Sequence, residues 1–244
     1  MDAADRHRIE AAMAFGVLSN SVPTVFWVLL DVFSRPDLLV QLREEIETNA
    51  VTIQSRDGKP AHIIDLAAIR DSCPHFVSTF QEVLRLRNLS ASTRSVVNDI
   101  VLDDQYLLKK GSLVQMPSQY FNVRKAVWGD DAKLFDSKRF LSKEVGTGKT
   151  RGFIAFGTTP HICPGRHFAS GEVLAIAAMV FLRYDMVAIN GWKEPKLSST
   201  ALTASITPPK DPYLVSISAR DAYKDTTWEF AVTEGKGRFN LIIG

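Results

Sequence analysis

Two cysteines in 244 residues, Cys73 and Cys163, are too few and too far apart to suggest a disulfide framework. The chain fits a compartment in which thiols stay free. It also lacks an excess of either charge: 29 basic and 27 acidic side chains leave +2. Bulk charge therefore supplies no attraction for nucleic acid. The opening residues, with Asp2, Asp5, Arg6 and Arg8, are charged and do not form a signal peptide. No internal repeat and no linker divides the sequence. What is present is 45% apolar and 23% charged, an ordinary globular balance with length enough for a large core.

One stretch organises the rest. Residues 156–165 place Cys163 between two turn-formers, Pro160 and the pair Pro164-Gly165, and residues 166–183 read as a helix. A cysteine just before a helix start faces unpaired backbone N–H groups and the positive end of the helix dipole. That setting favours the thiolate, the form that binds metal or attacks. From position alone Cys163 is a buried structural residue, a nucleophile, or an axial ligand to haem iron.

The surrounding residues narrow this. Phe156 and Gly157 stand seven and six residues before Cys163, His161 two before, Gly165 two after and Ala169 six after. This combination, running into a helix, resembles the haem-binding loop of the cytochrome P450 family. The resemblance implies haem b held through Cys163 as iron ligand, with Phe156, Gly157, His161 and Gly165 forming the loop. The family usually has glycine four residues before the cysteine, where this chain has Thr159. A Cβ there is expected to strain the turn.

Two further pieces occur in the family's order. Glu82 and Arg85 stand three apart in a helix expected over 75–87, so they share a face. On spacing alone they are an exposed pair worth a few tenths of a kcal/mol. In the family such a pair meets a later arginine in a buried network bracing the haem loop, and Arg139 in Phe135-Asp136-Ser137-Lys138-Arg139-Phe140 is the match. A guanidinium fits a carboxylate bidentately and keeps its charge when buried. Arg94, placed before a first short strand, matches the family's propionate-binding arginine, with His161 as a second contact.

Residues 11–30 contain no charged side chain, enough to span a bilayer. Ser19, Asn20, Ser21, Pro23 and Thr24 interrupt the run. Phe15, Leu18, Val22, Val25, Phe26, Leu29 and Phe33 recur at helical spacing, so a core helix is expected rather than a membrane span. Pro23 removes the N–H that Ser19 O would accept, predicting a kinked turn lined by Ser19 and Asn20. The stretch resembles the central helix of haem-thiolate monooxygenases, with Ser19 and Asn20 at the family's acid and threonine positions. They are the candidate catalytic residues. Asn followed by Pro resembles the branch with sterol 7α-hydroxylases and prostacyclin synthase, in a fungal-type member of secondary metabolism.

Elsewhere, Pro36 opens a second helix with Leu39, Leu42 and Ile46 on one face. Residues 55–60 are a loop, 66–70 a short helix, and Cys73 a structural residue before Pro74. Residues 95–101 and 106–116 read as strands, 122–130 as a loop, and 187–219 as strands and turns. The helix after Gly165 should bury Phe168, Ala175, Ile176, Met179 and Leu182. Residues 203–206, Thr203 to Ile206, are the candidate substrate-contacting turn.

The expected fold is mainly α with small β-sheets, the C-terminal half of the cytochrome P450 fold: central helix, Glu-x-x-Arg helix, meander, haem loop and following helix. Residues 1–230 form a partial haem domain and 231–244 a tail of unknown role. The implied function is a monooxygenase inserting one oxygen atom into a small apolar substrate. An NADPH-dependent reductase would dock on a proximal face carrying Arg166, Lys143 and Lys149. The alternatives are a thiolate-haem isomerase, needing no reductase, and a non-catalytic remnant. Relatives of full length sit in the endoplasmic reticulum membrane through an N-terminal anchor without counterpart here, so the sequence as given reads as soluble and cytoplasmic.

Overall fold

The computed structural model describes residues 3–56, 58–141, 152–200, 204–223 and 226–234. Helix α1 spans Ala3–Phe33 and remains helical through Pro23. The Thr24 hydroxyl donates back to Asn20 O at 2.7 Å beside the proline, a bond that serves the polar backbone where the ladder is weakened. The helix divides along its length. Trp27, Val28, Leu30, Val32 and Phe33 are buried, whereas Phe15, Leu18 and Val22 are 55%, 65% and 60% exposed.

The apolar stripe predicted over residues 15–33 is thus covered only in its second half. Periodicity identifies which face of a helix is apolar, not how far along it a partner reaches. The segment Asp5–Phe33 is long and apolar enough to cross a membrane, and 33% of its apolar window is buried.

Pro36 opens α2 (Pro36–Ala50), whose Leu38, Leu39, Leu42 and Ile46 face the core. A hairpin follows, β1 (Val51–Arg56) and β2 (Lys59–Asp65), its turn falling within the loop expected at 55–60. β1 lies almost wholly exposed. Asp65 caps α3 (Leu66–Ser72), accepting Ala67 N at 2.8 Å. Helix α4 (Pro74–Arg87) has no side-chain cap of its own. Its start is capped from α2 instead: Glu45 Oε1 and Oε2 accept the His75 and Phe76 amides at 3.0 and 2.8 Å. A carboxylate at a helix N-terminus satisfies orphan donors and meets the positive dipole end.

The meander begins with β3 (Ala91–Ser95), so Arg94 lies inside the first strand rather than before it. β3 pairs antiparallel with β6 (Leu113–Pro117), and between them β4 (Ile100–Leu102) pairs with β5 (Tyr106–Leu108). Asp103 and Asp104, at φ 54° and 51°, make the β4–β5 turn. Residues 122–130, expected as loop, contain the end of α5 (Ser118–Asn122) and all of α6 (Lys125–Trp128).

Helix α7 (Arg166–Arg183) starts where the sequence placed it. Its core face is Val173, Leu174, Ala177, Ala178, Phe181 and Leu182. Phe168 and Ile176, expected inward, are 65% and 41% exposed, because the packed stripe runs to one side of them. Phe181 is the pivot of this core, meeting the Phe33 and Phe76 rings edge-on at 5.6 and 5.7 Å. The last carbonyls of α7 are served by two cations: Arg43 Nε donates to Phe181 O at 2.7 Å, and Arg220 Nη1 to Leu182 O at 2.8 Å.

Strands β7 (Tyr184–Ala188) and β8 (Val215–Ala219) pair antiparallel. β9 (Thr227–Ala231) adds parallel to β2, making β2 the centre of a three-stranded sheet. Thr233 Oγ1 also donates to Asp65 Oδ2 at 2.5 Å. The boundary drawn at residue 230 therefore falls within β9. Most of the expected tail, 235–244, lies outside the described residues.

Candidate functional site

The loop before α7 is a sequence of tight turns closed by backbone bonds. Gly157 N donates to Ile154 O at 3.0 Å, His161 N to Thr158 O at 3.0 Å, and Cys163 N to Phe156 O at 2.8 Å. Gly157 adopts φ +82°, and a Cβ there would stand 3.3 Å from His161 O. Thr159 shows no such strain. The positive φ falls on Gly157, and Asp103 and Asp104 are the positive-φ non-glycine residues among those described. The left-handed residue of the turn is thus Gly157, two positions before Thr159.

Cys163 is exposed at the mouth of this loop, and a Cβ on Gly165 would reach to 4.0 Å from its Sγ. Arg166 Nη1 donates to Cys163 O at 3.0 Å, tying that cation to the loop. Phe156 is half-buried against the core, while His161 is exposed. Cys73 is the opposite kind of thiol: burial, with Glu45 nearby, pushes it up to about 12.

Beside the loop, Arg94 reaches from β3 to Thr158. Its Nη2 donates to Thr158 O at 3.2 Å and to Thr158 Oγ1 at 3.1 Å. A guanidinium so placed brings one positive charge to the loop's edge, as an anionic group on a ligand would require.

Beneath the loop the acidic and basic residues close into a buried triad. Glu82 and Arg85 are both 0% exposed, joined by Nε–Oε2 and Nη2–Oε1 bonds of 2.7 Å each. Arg139 Nε donates to Glu82 Oε1 at 3.1 Å. Arg85 Nη1 donates to Asn122 O at 2.5 Å and Ala132 O at 2.6 Å, and its guanidinium lies 5.0 Å from the Trp128 ring. Burial works against charge on Arg139, but Asp131 and Glu82 outweigh it and raise its pKa. Arg139 in turn holds the Asp131 carboxyl below its ordinary range. The triad thus binds α4 to the segment that leads toward the cysteine loop.

Ser19 and Asn20 come together with the far end of the chain. Asn20 Oδ1 accepts the Ser205 amide at 2.8 Å, while Asn20 Nδ2 donates to Gly16 O at 2.9 Å and Ser19 Oγ at 3.2 Å. The Asn20 amide is fully engaged, and the Ser19 hydroxyl retains its own proton to donate. The expected substrate turn is described from Ala204 onward, and Thr203 lies outside the described residues. Lys143 and Lys149, expected on the proximal face, also lie outside them.

Sequence reading missed Asn88. It is 1% exposed, its Nδ2 donates to Ala155 O at 2.6 Å, and its Oδ1 accepts from Ser90 N at 2.8 Å and Ser90 Oγ at 2.6 Å. Its only local signal is its place at the C-terminal end of α4. Glu45, Arg43 and Arg220 were likewise invisible, because each serves a helix end contributed by a distant segment.

Comparison with known proteins agrees with this geometry. The family model described as Cytochrome P450 matches residues 11–216. The chain is 44% identical to the cytochrome P450 monooxygenase nodJ of Hypoxylon pulicicidum, covering 98% of this chain and 48% of that protein. It is 31% identical to a cytochrome P450 monooxygenase of Gibberella zeae, covering 91% and 45%. A more distant relative is Cytochrome P450 7A1 of Sus scrofa, 24% identical over 86% of this chain and 45% of that one. The chain spans about half the length of the curated relatives it matches. By the extent of the family match and the identity to these relatives, it belongs to the cytochrome P450 family.

Proposed function

We propose that this chain carries the haem-thiolate half of a monooxygenase acting on a small apolar substrate of fungal secondary metabolism. Cytochrome P450s hold haem iron on a cysteine thiolate and generally take electrons from a reductase. The observation that carries the reading to these residues is Cys163, exposed on a tight loop with Arg94 at the loop's edge. The residues fit the group: Cys163 as iron ligand, Phe156, Gly157, His161 and Gly165 as the loop, and Arg94 as partner of a propionate.

When bound, the haem supplies one-electron and dioxygen chemistry. The chain's own contribution is positioning. The Phe156 carbonyl holds the Cys163 amide and fixes the height of the thiol on its turn. Arg166 keeps the loop carbonyl at Cys163 occupied and adds positive charge for a reductase surface. Asn20 anchors the Ser205 turn, and the Ser19 hydroxyl, which accepts from Asn20 Nδ2, keeps a proton of its own to donate. Glu82, Arg85 and Arg139 do no chemistry and brace the loop.

The test is the carbon monoxide difference spectrum of the dithionite-reduced protein beside Cys163→Ala. A strongly red-shifted Soret band, absent in the variant, supports the reading. A band at the unshifted position in the unaltered protein overturns it. The relatives quoted carry monooxygenase names, and no observation favours an isomerase.

A further inference from the structure

The buried amide of Asn88 stands where three otherwise separate segments meet. Its Nδ2 donates to Ala155 O at 2.6 Å, one residue before Phe156, whose carbonyl holds the Cys163 amide. Its backbone forms a bridge with Ile206, and the next amide, Leu89 N, donates to Ser205 O at 2.8 Å. Ser205 N in turn donates to Asn20 on α1. Hydrogen bonds joined by short stretches of backbone therefore link Asn20 through Ser205 and residues 88–89 to Ala155 and the cysteine loop.

We propose that Asn88 is a positioning residue that fixes the Cys163 loop and the Ser205 turn relative to one another. This rests on reading Cys163 as the iron ligand and the turn as part of the substrate side. The chemistry of the side chain carries the assignment. The amide donates to Ala155 O through its nitrogen and accepts from Ser90 N and Oγ through its oxygen at the same time. Asn88 is 1% exposed, and removing its amide takes one bond from Ala155 O and two from Ser90. Its two bonds to Ser90, which also contacts Ser118 Oγ at 2.8 Å, lock the amide orientation. Residues 88–89 follow α4, three and four positions after Arg85, so the triad anchors the hub itself.

Amide hydrogen exchange on the full-length, haem-loaded protein tests this, comparing Asn88→Ala and Asn88→Ser with the unaltered chain. Losing one buried bond is expected to speed exchange about tenfold at both Cys163 and Ser205, leaving the distant β1–β2–β9 sheet unchanged. Imidazole, used as an iron-binding probe, should shift its affinity several-fold while the carbon monoxide band stays red-shifted. A uniform rise across all amides means Asn88 only stabilises the fold, and overturns the proposal. So does acceleration at one of the two segments alone, or at neither.

Should Asn88→Ala not fold, Ser90→Ala removes a single bond to the same amide, and the same pattern in weaker form is expected. If the unaltered protein shows no red-shifted band, the iron-ligand reading fails. The exchange arm still decides whether residue 88 couples the two segments.

Discussion

Arg85 and Glu82 face each other fully buried, with two parallel bonds of 2.7 Å and no solvent on either side. A pair three residues apart on a helix is ordinarily a surface feature of little worth. Here the neighbouring carbonyls of Asn122, Ala132 and Leu134 and the second cation Arg139 complete the shell. Removing one member strands the rest.

Glu82→Gln is therefore expected to lower unfolding free energy by about 3–5 kcal/mol, since two guanidinium groups lose their shared carboxylate. Asp131→Asn, on the exposed side of Arg139, should leave the urea midpoint nearly unchanged. Equal losses in the two variants would contradict the buried-triad account.

Gly157→Ala should cost about 1–2 kcal/mol, because φ +82° is a left-handed conformation and the added Cβ crowds His161 O. Haem retained through gel filtration should fall with it. Thr159→Gly should change neither quantity, since no left-handed backbone occurs there. A gain of haem in Thr159→Gly would show that the threonine does strain the loop.

The two thiols should separate cleanly in an alkylation experiment. At about pH 8, iodoacetamide is expected to label the exposed Cys163 of haem-free protein and to leave the buried Cys73 intact. Mass spectrometry reads both sites at once. Adding haem should protect Cys163, and labelling undiminished by haem would detach the cysteine from the cofactor.

His62 gives the stability a pH dependence of known sign. It is 7% exposed, stacked on Trp228 at 4.7 Å, and burial draws its pKa below the usual 6.5 despite the opposing Glu47 carboxylate. The unfolded chain takes up this proton near 6.5 while the folded chain resists it. The contribution of neutral His62 is thus complete above that pH and lost as pH falls below it. Urea midpoints measured between about pH 7.5 and pH 5.5 should decline, and decline less in His62→Phe. An identical slope in the variant would remove His62 as the source.

Much of this protein was legible in the order of its residues. The start of α7 at Arg166, the proline openings of α2 and α4, and the shared face of Glu82 and Arg85 follow from local chemistry and spacing, while the cysteine loop and Arg139 as third member were legible only through the family resemblance. A proline fixes its own φ, and residues three apart share a helix face whatever surrounds them. Such features travel with the sequence because their physics spans a few residues.

What tertiary structure decided are the matters that depend on who the neighbour is. The stripe containing Phe15, Leu18 and Val22 looked like core and is exposed, since only the later turns of α1 meet α4 and α7. The strand β1 lies exposed, and β9 pairs with β2 across more than 160 residues. Asn88 and Ser205 look like ordinary turn residues until the chain brings them together. Hydrogen-bond donors and acceptors do not announce their partners, and burial makes those partners obligatory only once the fold has closed.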